Sequence, residues 1–354
     1  MPSSRLLFDD ASWPPPRVSR WRVLWRLSFA LLFAGWSLGL LAWLTLYWGI
    51  LPNARAWLPH IEAQAGRVLG APVRIGDLRV RSSGWVPAFE LDDVVLLDHA
   101  QREVLRLPRV AAAPAVRSLF ALELRLQQLL IDGAELELRR DAAGAVHVAG
   151  FALDAGAGEG VAPEALLRQR EIVLRGARVR WIDEQRQAPP LELTDVDVVV
   201  RNGLRTHELR LDATPPADWG ERFSLRGQFT SPLLARGDWW RWSGSVYAEL
   251  PRVDGGRLAQ HVALPFEWSA GVGALRAWLD LAPGGATAAT VDVAARDVAL
   301  RLAPDRELLA LRELGGRVAL RRDERAWTVE ADDLGFVDDG SGEVRCAAAG
   351  LSWP

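Results

Sequence analysis

The chain has 354 residues but only one cysteine, two tyrosines and no lysine. A lone thiol, Cys346, leaves no disulfide framework and no thiolate cluster for a metal, and it reads as a small hydrophobe among alanines. All basic charge is arginine, and it nearly balances the carboxylates at a net −3. No basic patch interleaved with aromatics stands out, so nucleic acid has no electrostatic footprint here. The histidines His60, His99, His147, His207 and His261 show no ligand spacing, and no His-Glu-x-x-His pair is present. There is no Gly-x-Ser-x-Gly elbow. The carboxylate pairs Asp92-Asp93, Asp332-Asp333 and Asp338-Asp339 are adjacent, so on a strand they point to opposite faces and do not share one substrate. Asp338 to Glu343 lacks the spacing of a calcium loop and reads as a solvated turn. Gly156-x-Gly158-x-Gly160 has no strand before it and reads as linker rather than phosphate loop. The expectation is a protein that is not an enzyme, with no catalytic, cofactor or metal residue.

What the chain does have is one long uncharged run. Residues 27–51 (LSFALLFAGWSLGLLAWLTLYWGIL) carry no charge over 25 residues. As a helix they reach about 37 Å, enough for a hydrocarbon core of about 30 Å. Arg17, Arg20, Arg22 and Arg26 crowd the N-terminal side, which places residues 1–26 in the cytoplasm and the body outside it. Trp21, Trp25, Trp43, Tyr47 and Trp48 fit interfacial belts at the two ends. A cleaved signal peptide has a shorter apolar region and a small-residue cleavage site, so an uncleaved single-pass anchor is expected.

Beyond the span the period changes. Residues 52–70 predict an amphipathic helix, with Asn53 as cap, Trp57, Ile61, Ala65 and Val68 on one face and Gly70 as terminator. Such a helix would cover the first open edge of a sheet. From Pro72 onward apolar and polar residues alternate, as in Leu122-Glu-Leu-Arg-Leu, Val196-Asp-Val-Val-Val, Leu209-Arg-Leu-Asp and Leu275-Arg-Ala-Trp-Leu-Asp-Leu, which predicts strands with one apolar and one solvated face. Asp132-Gly133, Asp141 to Gly144, Asn202-Gly203, Pro215-Pro216, Gly255-Gly256 and Pro283-Gly284-Gly285 read as turns. Asp93, Asp132, Asp195, Asp297 and Asp333 read as punctuation at strand starts. Residues 154–171 read as a Gly/Ala-rich linker plus a short helix, dividing a first β segment (71–153) from a second (172–354). Residues 114–121 suggest a further helical turn. With few long helices between strands, the sheet is expected to be largely antiparallel. Roughly 20 strands at about 4.8 Å would extend about 95 Å, and open sheets rarely stay flat beyond about 10 strands. The predicted fold is therefore mainly β: an elongated sheet curled into a trough, apolar inside.

Leu69-Gly-Ala-Pro-Val-Arg-Ile-Gly-Asp-Leu, Gly84-Trp-Val-Pro-Ala-Phe-Glu-Leu-Asp-Asp-Val-Val-Leu-Leu-Asp and Val104-Leu-Arg-Leu-Pro-Arg-Val resemble the N-terminal region of AsmA-like proteins. Ile131-Asp-Gly-Ala-Glu-Leu-Glu-Leu-Arg-Arg-Asp, Leu174-Arg-Gly-Ala-Arg-Val-Arg-Trp-Ile-Asp-Glu and Leu191-Glu-Leu-Thr-Asp-Val resemble its YhdP branch most closely. The resemblance implies a tapering hydrophobic β-groove between inner and outer membranes, and phospholipid transport in outer-membrane biogenesis. It places the anchor in the inner membrane and the body in the periplasm. Members of the branch are longer, so the chain reads as an N-terminal part. Candidate groove residues are Leu124, Leu138, Trp181, Val198, Leu211, Phe223, Leu225, Trp268, Leu279, Val293 and Leu300, with Trp278 and Trp327 as further aromatics that line or fill the groove. The expected partners are phospholipid, the inner membrane through 27–51, and a periplasmic or outer-membrane protein. Two other readings stay open: a periplasmic scaffold that recruits clients by strand addition, and a hydrolase without a visible motif.

Overall fold

The computed structural model describes residues 20–45, 48, 56, 58–69, 71–82, 87–97, 101–114, 126–152, 169–232, 241–262, 264, 266–302, 305–322, 327–338 and 342–353. The chain divides into two units, 1–54 and 55–354. In the first, helix α1 runs Arg20–Leu44 and begins within the arginine cluster. Among the described residues no helix is long and apolar enough to cross a membrane. The expected span is therefore not shown, and part of its C-terminal end (46–47 and 49–51) lies outside the described residues. Readings on Arg17, Asn53, Trp57, Gly70, His99, Leu122 to Arg125, Asp339, most of 114–121 and most of the 154–171 linker also fall outside them.

The second unit starts with helix α2 (Leu58–Leu69). Its strands are β1 (Val73–Ser82), β2 (Pro87–Leu97), β3 (Glu103–Pro114), β4 (Leu126–Asp132), β5 (Glu135–Arg140), β6 (Val146–Val148), β7 (Phe151–Ala152), β8 (Glu171–Asp183) and β9 (Ala188–Asn202). Then follow β10 (Thr206–Thr214), β11 (Phe223–Thr230), β12 (Ser243–Asp254), helix α3 (Gly255–His261), β13 (Glu267–Ala282), β14 (Gly285–Arg301), β15 (Leu309–Arg322), β16 (Trp327–Asp338) and β17 (Gly342–Trp353). The described strands form one 17-stranded sheet. β1, β2 and β3 pair in sequence, β3 pairs with β4 and β5, and from β8 to β17 each strand pairs with the next.

The sheet is mixed: β8 runs parallel to β4 and β5. Parallel neighbours need a long return connection, and here β6, β7 and residues 153–170 provide it. β4 and β5 act as one interrupted strand. Gly133, at φ 69°, breaks it opposite the similar break at Gly176, at φ 56°.

The aspartates read as strand starts are placed differently. Asp93, Asp195, Asp297 and Asp333 lie within β2, β9, β14 and β16, with left-handed φ of 57, 47, 51 and 51°. Only Asp132 sits at a strand boundary, the end of β4. Aspartate tolerates the left-handed region better than most residues, so it can occupy the extra position of a bulge. The neighbouring strand carries glycine at the same level. A Cβ on Gly271 would stand 3.0 Å from the Val298 Cα, and one on Gly316 would stand 2.9 Å from the Asp333 carbonyl oxygen. Gly76 holds the corresponding place beside Asp93, whereas Asp195 lies opposite Arg178. Each bulge bends its strand and raises the local twist, which lets so many strands share one sheet without lying flat.

Gly255-Gly256, read as a turn, instead opens α3. Asp254 caps the helix, its Oδ1 accepting the Arg257 N–H at 2.9 Å. A side chain at Gly255 would collide with the Trp268 indole. α3 touches β9, β12 and β13. In a flat sheet β9 and β13, separated by β10, β11 and β12, would be about 19 Å apart. A seven-residue helix is about 10 Å long, and the Arg186 side chain spans the remaining distance to the β8–β9 turn.

Three clusters of buried side chains lie on one face. The first (Val73, Ile75, Val94, Leu96 and Val110) lies under Leu58, Ile61 and Ala65 of α2. β1 pairs only with β2 among the described strands, and Glu62 Oε1 accepts its Ile75 N–H at 2.7 Å. The helix thus supplies an acceptor where a free strand edge would otherwise invite another strand.

Candidate functional site

Register turns the alternation into continuous tracks. Leu78, Leu91, Val110, Ile131, Leu174, Val198, Leu211, Leu225, Ala248, Ala277, Val291, Val318 and Ala331 are successive cross-strand partners, and Ala349 of β17 is next in register. Every residue of that row is apolar. A second row runs beside it: Val80, Phe89, Ala112, Leu129, Ile172, Val200, Leu209, Gly227, Val246, Leu279, Ala289, Leu320 and Val329. It contains no polar side chain either. At about 4.8 Å per strand each row is about 60 Å long.

Coverage of this face is uneven. Toward the α2 end, Leu78, Val110 and Ala112 of the two rows are buried, as are Val73, Ile75, Val94 and Leu96 beside them. From β8 to β13 the same rows are only half-buried: Leu174, Val198, Leu211, Leu225, Val246, Ala248, Ala277 and Leu279 all keep exposed surface. Apolar surface left accessible in a continuous band favours an apolar guest.

The opposite face carries most of the charge, apart from an apolar stretch of Ala111, Leu130, Val173 and Val199. Arg106 donates to both oxygens of Asp93 at 2.6 and 3.0 Å, and Arg317 to both oxygens of Asp292 at 2.6 and 2.8 Å. Those hydrogen bonds, with the adjacent positive charge, hold both carboxyls below their ordinary pKa against the effect of burial. Arg201–Glu171 and Arg222–Asp197 pair at 2.9 and 2.8 Å.

Of the sequence candidates, Leu124 lies outside the described residues. Leu138 and Trp181 are cross-strand partners. Val198, Leu211 and Leu225 fall in the first row and Leu279 in the second. Phe223 pairs with Ala213, and Val293 with Leu275, alongside these rows. Trp268 and Leu300 also pair with each other, but they are buried at 7 and 8% exposure in the cluster that packs Ala259 of α3. These two fill the face rather than line an open part of it. Trp278 is on the charged face, partnered by Tyr247 and Thr290, with its ring 5.2 Å from Tyr247 and the Arg317 guanidinium over it. The side chain of Trp327 is outside the described set.

Two polar groupings were not legible in the sequence. His207 is buried, its Nδ1 2.8 Å from Asn202 Oδ1 and its Nε2 3.2 Å from Ser231 Oγ, with Trp242 stacked on the ring at 4.0 Å. The order Ser–His–Asn resembles a nucleophile relay. Ser231, however, is 1% exposed and its hydroxyl also contacts the Arg205 carbonyl, so the group ties hairpin ends together. The second is at the opposite strand ends. Asp183, its side chain fully buried, pairs with Arg140 and accepts the Arg186 amide N–H at 3.1 Å. Burial alone would raise the Asp183 pKa; the hydrogen bonds from Arg140 and the Arg186 amide outweigh it, so the group sits below its ordinary value. The Arg186 side chain donates to the carbonyls of Ala259, Gln260 and Val262 at 3.4, 3.2 and 3.1 Å. Alternation cannot reveal either grouping, because each is assembled across strands distant in sequence. Among the described residues no group of three or more His, Cys, Asp or Glu is placed to hold a metal ion.

The family described as YhdP protein matches the chain over residues 15–347. The chain belongs to the YhdP family. No curated protein and no solved structure matches it.

Proposed function

We propose that this YhdP-family chain takes part in lipid transport, carrying acyl chains along the half-buried rows of its apolar face, which form the floor of a curled groove. The observation that carries the reading is the pair of unbroken apolar rows, left partly exposed from β8 to β13. No bond is made or broken. An acyl chain gains about 0.8 kcal/mol per methylene removed from water, and near-equal neighbouring sites let it slide with little barrier. The headgroup stays at the open side of the groove, because an unpaired charge on an apolar floor is costly. The guest is phospholipid, and the track leads from the inner toward the outer membrane through the periplasm. α1, with the uncharged run 27–51 that begins inside it, is the inner-membrane anchor. Exposed Leu31, Leu32, Phe33, Trp36 and Leu38 on α1 support that part of the reading.

The test is photocrosslinking in cells. A benzophenone residue at Leu211, Leu225 or Leu279 should capture phospholipid, and one at Arg210 or Arg226 should not. Capture at the arginine positions alone would overturn the reading. The scaffold reading draws on one observation: β17 pairs only with β16 among the described strands, so its outer edge could accept a client strand. Stoichiometric protein without lipid in native mass spectra would favour it.

A further inference from the structure

The two ends of the strands differ in how their arginines are held. At the end that carries α3, Arg140 pairs with Asp183, Arg139 with Glu184 at 2.6 Å, Arg257 with Asp218 at 3.0 Å and Arg301 with Glu267 at 3.2 Å. At the other end, three arginines stand on alternate strands: Arg170 before β8, Arg205 in the β9–β10 turn and Arg241 before β12. All three are exposed, and among the described residues none has a carboxylate partner. The acids of these strand ends, Glu171 and Glu208, have the parity of the charged face, one removed from Ile172 and Leu209 of the second apolar row. Glu171 is also held already, by Arg201 and Gln128, each at 2.9 Å.

The three cations stand on a fixed base. The Arg170 carbonyl accepts the Asn202 N–H and the Arg205 carbonyl accepts the Ser231 N–H, both at 2.8 Å. Asn202 and Ser231 are joined through the buried His207, on which Trp242, next to Arg241, is stacked. Arg205 makes one long contact of its own, from Nε to the Ser231 carbonyl at 3.5 Å, which leaves its terminal nitrogens unused. Trp242 Nε1 has no hydrogen-bond partner, so this corner holds donors in excess of acceptors. Leu204, beside Arg205 in the turn, is 77% exposed. β8, β10 and β12 are two strand spacings apart, so the cations recur at about 10 Å. They run alongside the second apolar row, which passes Ile172, Val200, Leu209, Gly227 and Val246.

We propose that this lip binds the phosphate of a glycerophospholipid: Arg170, Arg205 and Arg241 take the headgroup in turn while its acyl chains lie on the adjoining row. This inference rests on the lipid reading above and names the part of the ligand that the groove edge recognises. A guanidinium suits the group, since its planar donors match phosphate oxygens two at a time and its charge does not titrate away. Single ion contacts in water are weak, so passing a headgroup from one arginine to the next costs little. The arginines at the α3 end would first have to give up their carboxylates.

The experiment uses the full chain in non-ionic detergent micelles and two probes with the same nitrobenzoxadiazole-labelled acyl chains, phosphatidylglycerol and diacylglycerol. Wild type should bind phosphatidylglycerol about tenfold tighter than diacylglycerol. Arg170→Gln, Arg205→Gln and Arg241→Gln combined should bring phosphatidylglycerol to the diacylglycerol value and leave diacylglycerol unchanged. A preference that survives in the triple variant overturns the phosphate lip, as does an equal loss of both lipids. Arg257→Gln, at the other strand ends, should keep the wild-type preference; a loss as large as the triple variant's would reveal a general charge effect and overturn the proposal. If the triple variant does not fold, salt takes its place on wild type. Between about 50 and about 500 mM sodium chloride, phosphatidylglycerol binding should weaken several-fold and diacylglycerol binding should not; parallel responses overturn the proposal. At fixed ionic strength, about 10 mM inorganic phosphate should leave phosphatidylglycerol binding unchanged, because the acyl chains add affinity that a free anion lacks. Displacement by it would assign the arginines to a free anion and overturn the headgroup role. Equal binding of the two probes by wild type leaves the lipid reading standing and removes the phosphate lip. If neither probe binds, the lipid reading itself fails and the lip falls with it.

Discussion

The floor under α2 and the floor between β9 and β13 have the same sequence pattern and different fates. In both, leucine, isoleucine, valine and alanine alternate with charged residues, and Val110 under α2 is in one cross-strand row with Leu211 and Leu225. Under α2 an amphipathic helix adds Leu58, Ile61 and Ala65, and Ile75 is 7% exposed. Along β9 to β13, the short helix α3 packs on the Trp268 cluster at the strand ends, and Leu211, Leu225 and Leu279 remain half-buried. The same side chains thus serve as ordinary core in one place and as accessible apolar surface in the other. The difference lies in what a second element brings to the face, not in the strands.

Substitutions can break that contrast. The largest expected effect comes from placing one charge in each region. Ile75→Asp buries an unpaired carboxylate beneath α2 and should cost about 4 kcal/mol by chemical denaturation. Leu211→Asp, on the half-buried floor, should cost about 1 kcal/mol and still abolish phospholipid capture. Equal stability losses would show that the two regions are covered alike. Next comes the left-handed aspartate facing a glycine on the next strand, Asp93 with Gly76 and Asp297 with Gly271, which both regions share. Gly271→Val requires a β-branched residue at φ 127° and should cost about 3 kcal/mol. A thermal shift near zero would argue against glycine being needed there. Glu62→Ala removes the acceptor for the Ile75 N–H and should cost about 1 kcal/mol. It should also raise concentration-dependent association through the β1 edge, seen by light scattering. The smallest effect is a pH dependence at α3. Burial, and then the Arg186 charge working against that of Asp183, holds His261 below its ordinary 6.5. The folded state therefore resists a proton that the unfolded chain accepts. The stabilising contribution is complete above about pH 6.5 and is lost as pH falls through the lower folded value. His261→Gln should flatten the melting temperature between about pH 7 and 5 relative to wild type.

Much of this architecture could be read along the chain. Alternation at Leu209 to Asp212 and Leu275 to Leu281 places apolar residues on one face without any knowledge of partners, because the strand period is two. α2 was legible for the same reason at period 3.6, through Ile61 and Ala65. The reading failed where the third dimension decides. Asp93 and Asp297 look like turn residues because aspartate favours turns; that they sit inside strands follows from glycines on the neighbouring strand. Trp278 looks like a groove aromatic by residue type, but its parity, one removed from Leu279, puts it on the charged face. Trp268 has the right parity and is filled over by α3. The parallel pairing of β8 with β4 and β5 depends on where a long connection returns.

By itself, then, the amino-acid order determined the β class and which side chains share a face, since both follow from local periodicity. It determined the absence of a disulfide framework as well, by composition alone. Only the tertiary structure decided that the apolar residues line up in unbroken rows, that α2 buries the apolar side chains at one end of the sheet, and that Arg186 reaches across to hold α3 at the strand ends. Register and coverage arise from contacts between residues far apart along the chain, and no local pattern encodes which distant strand or helix will arrive.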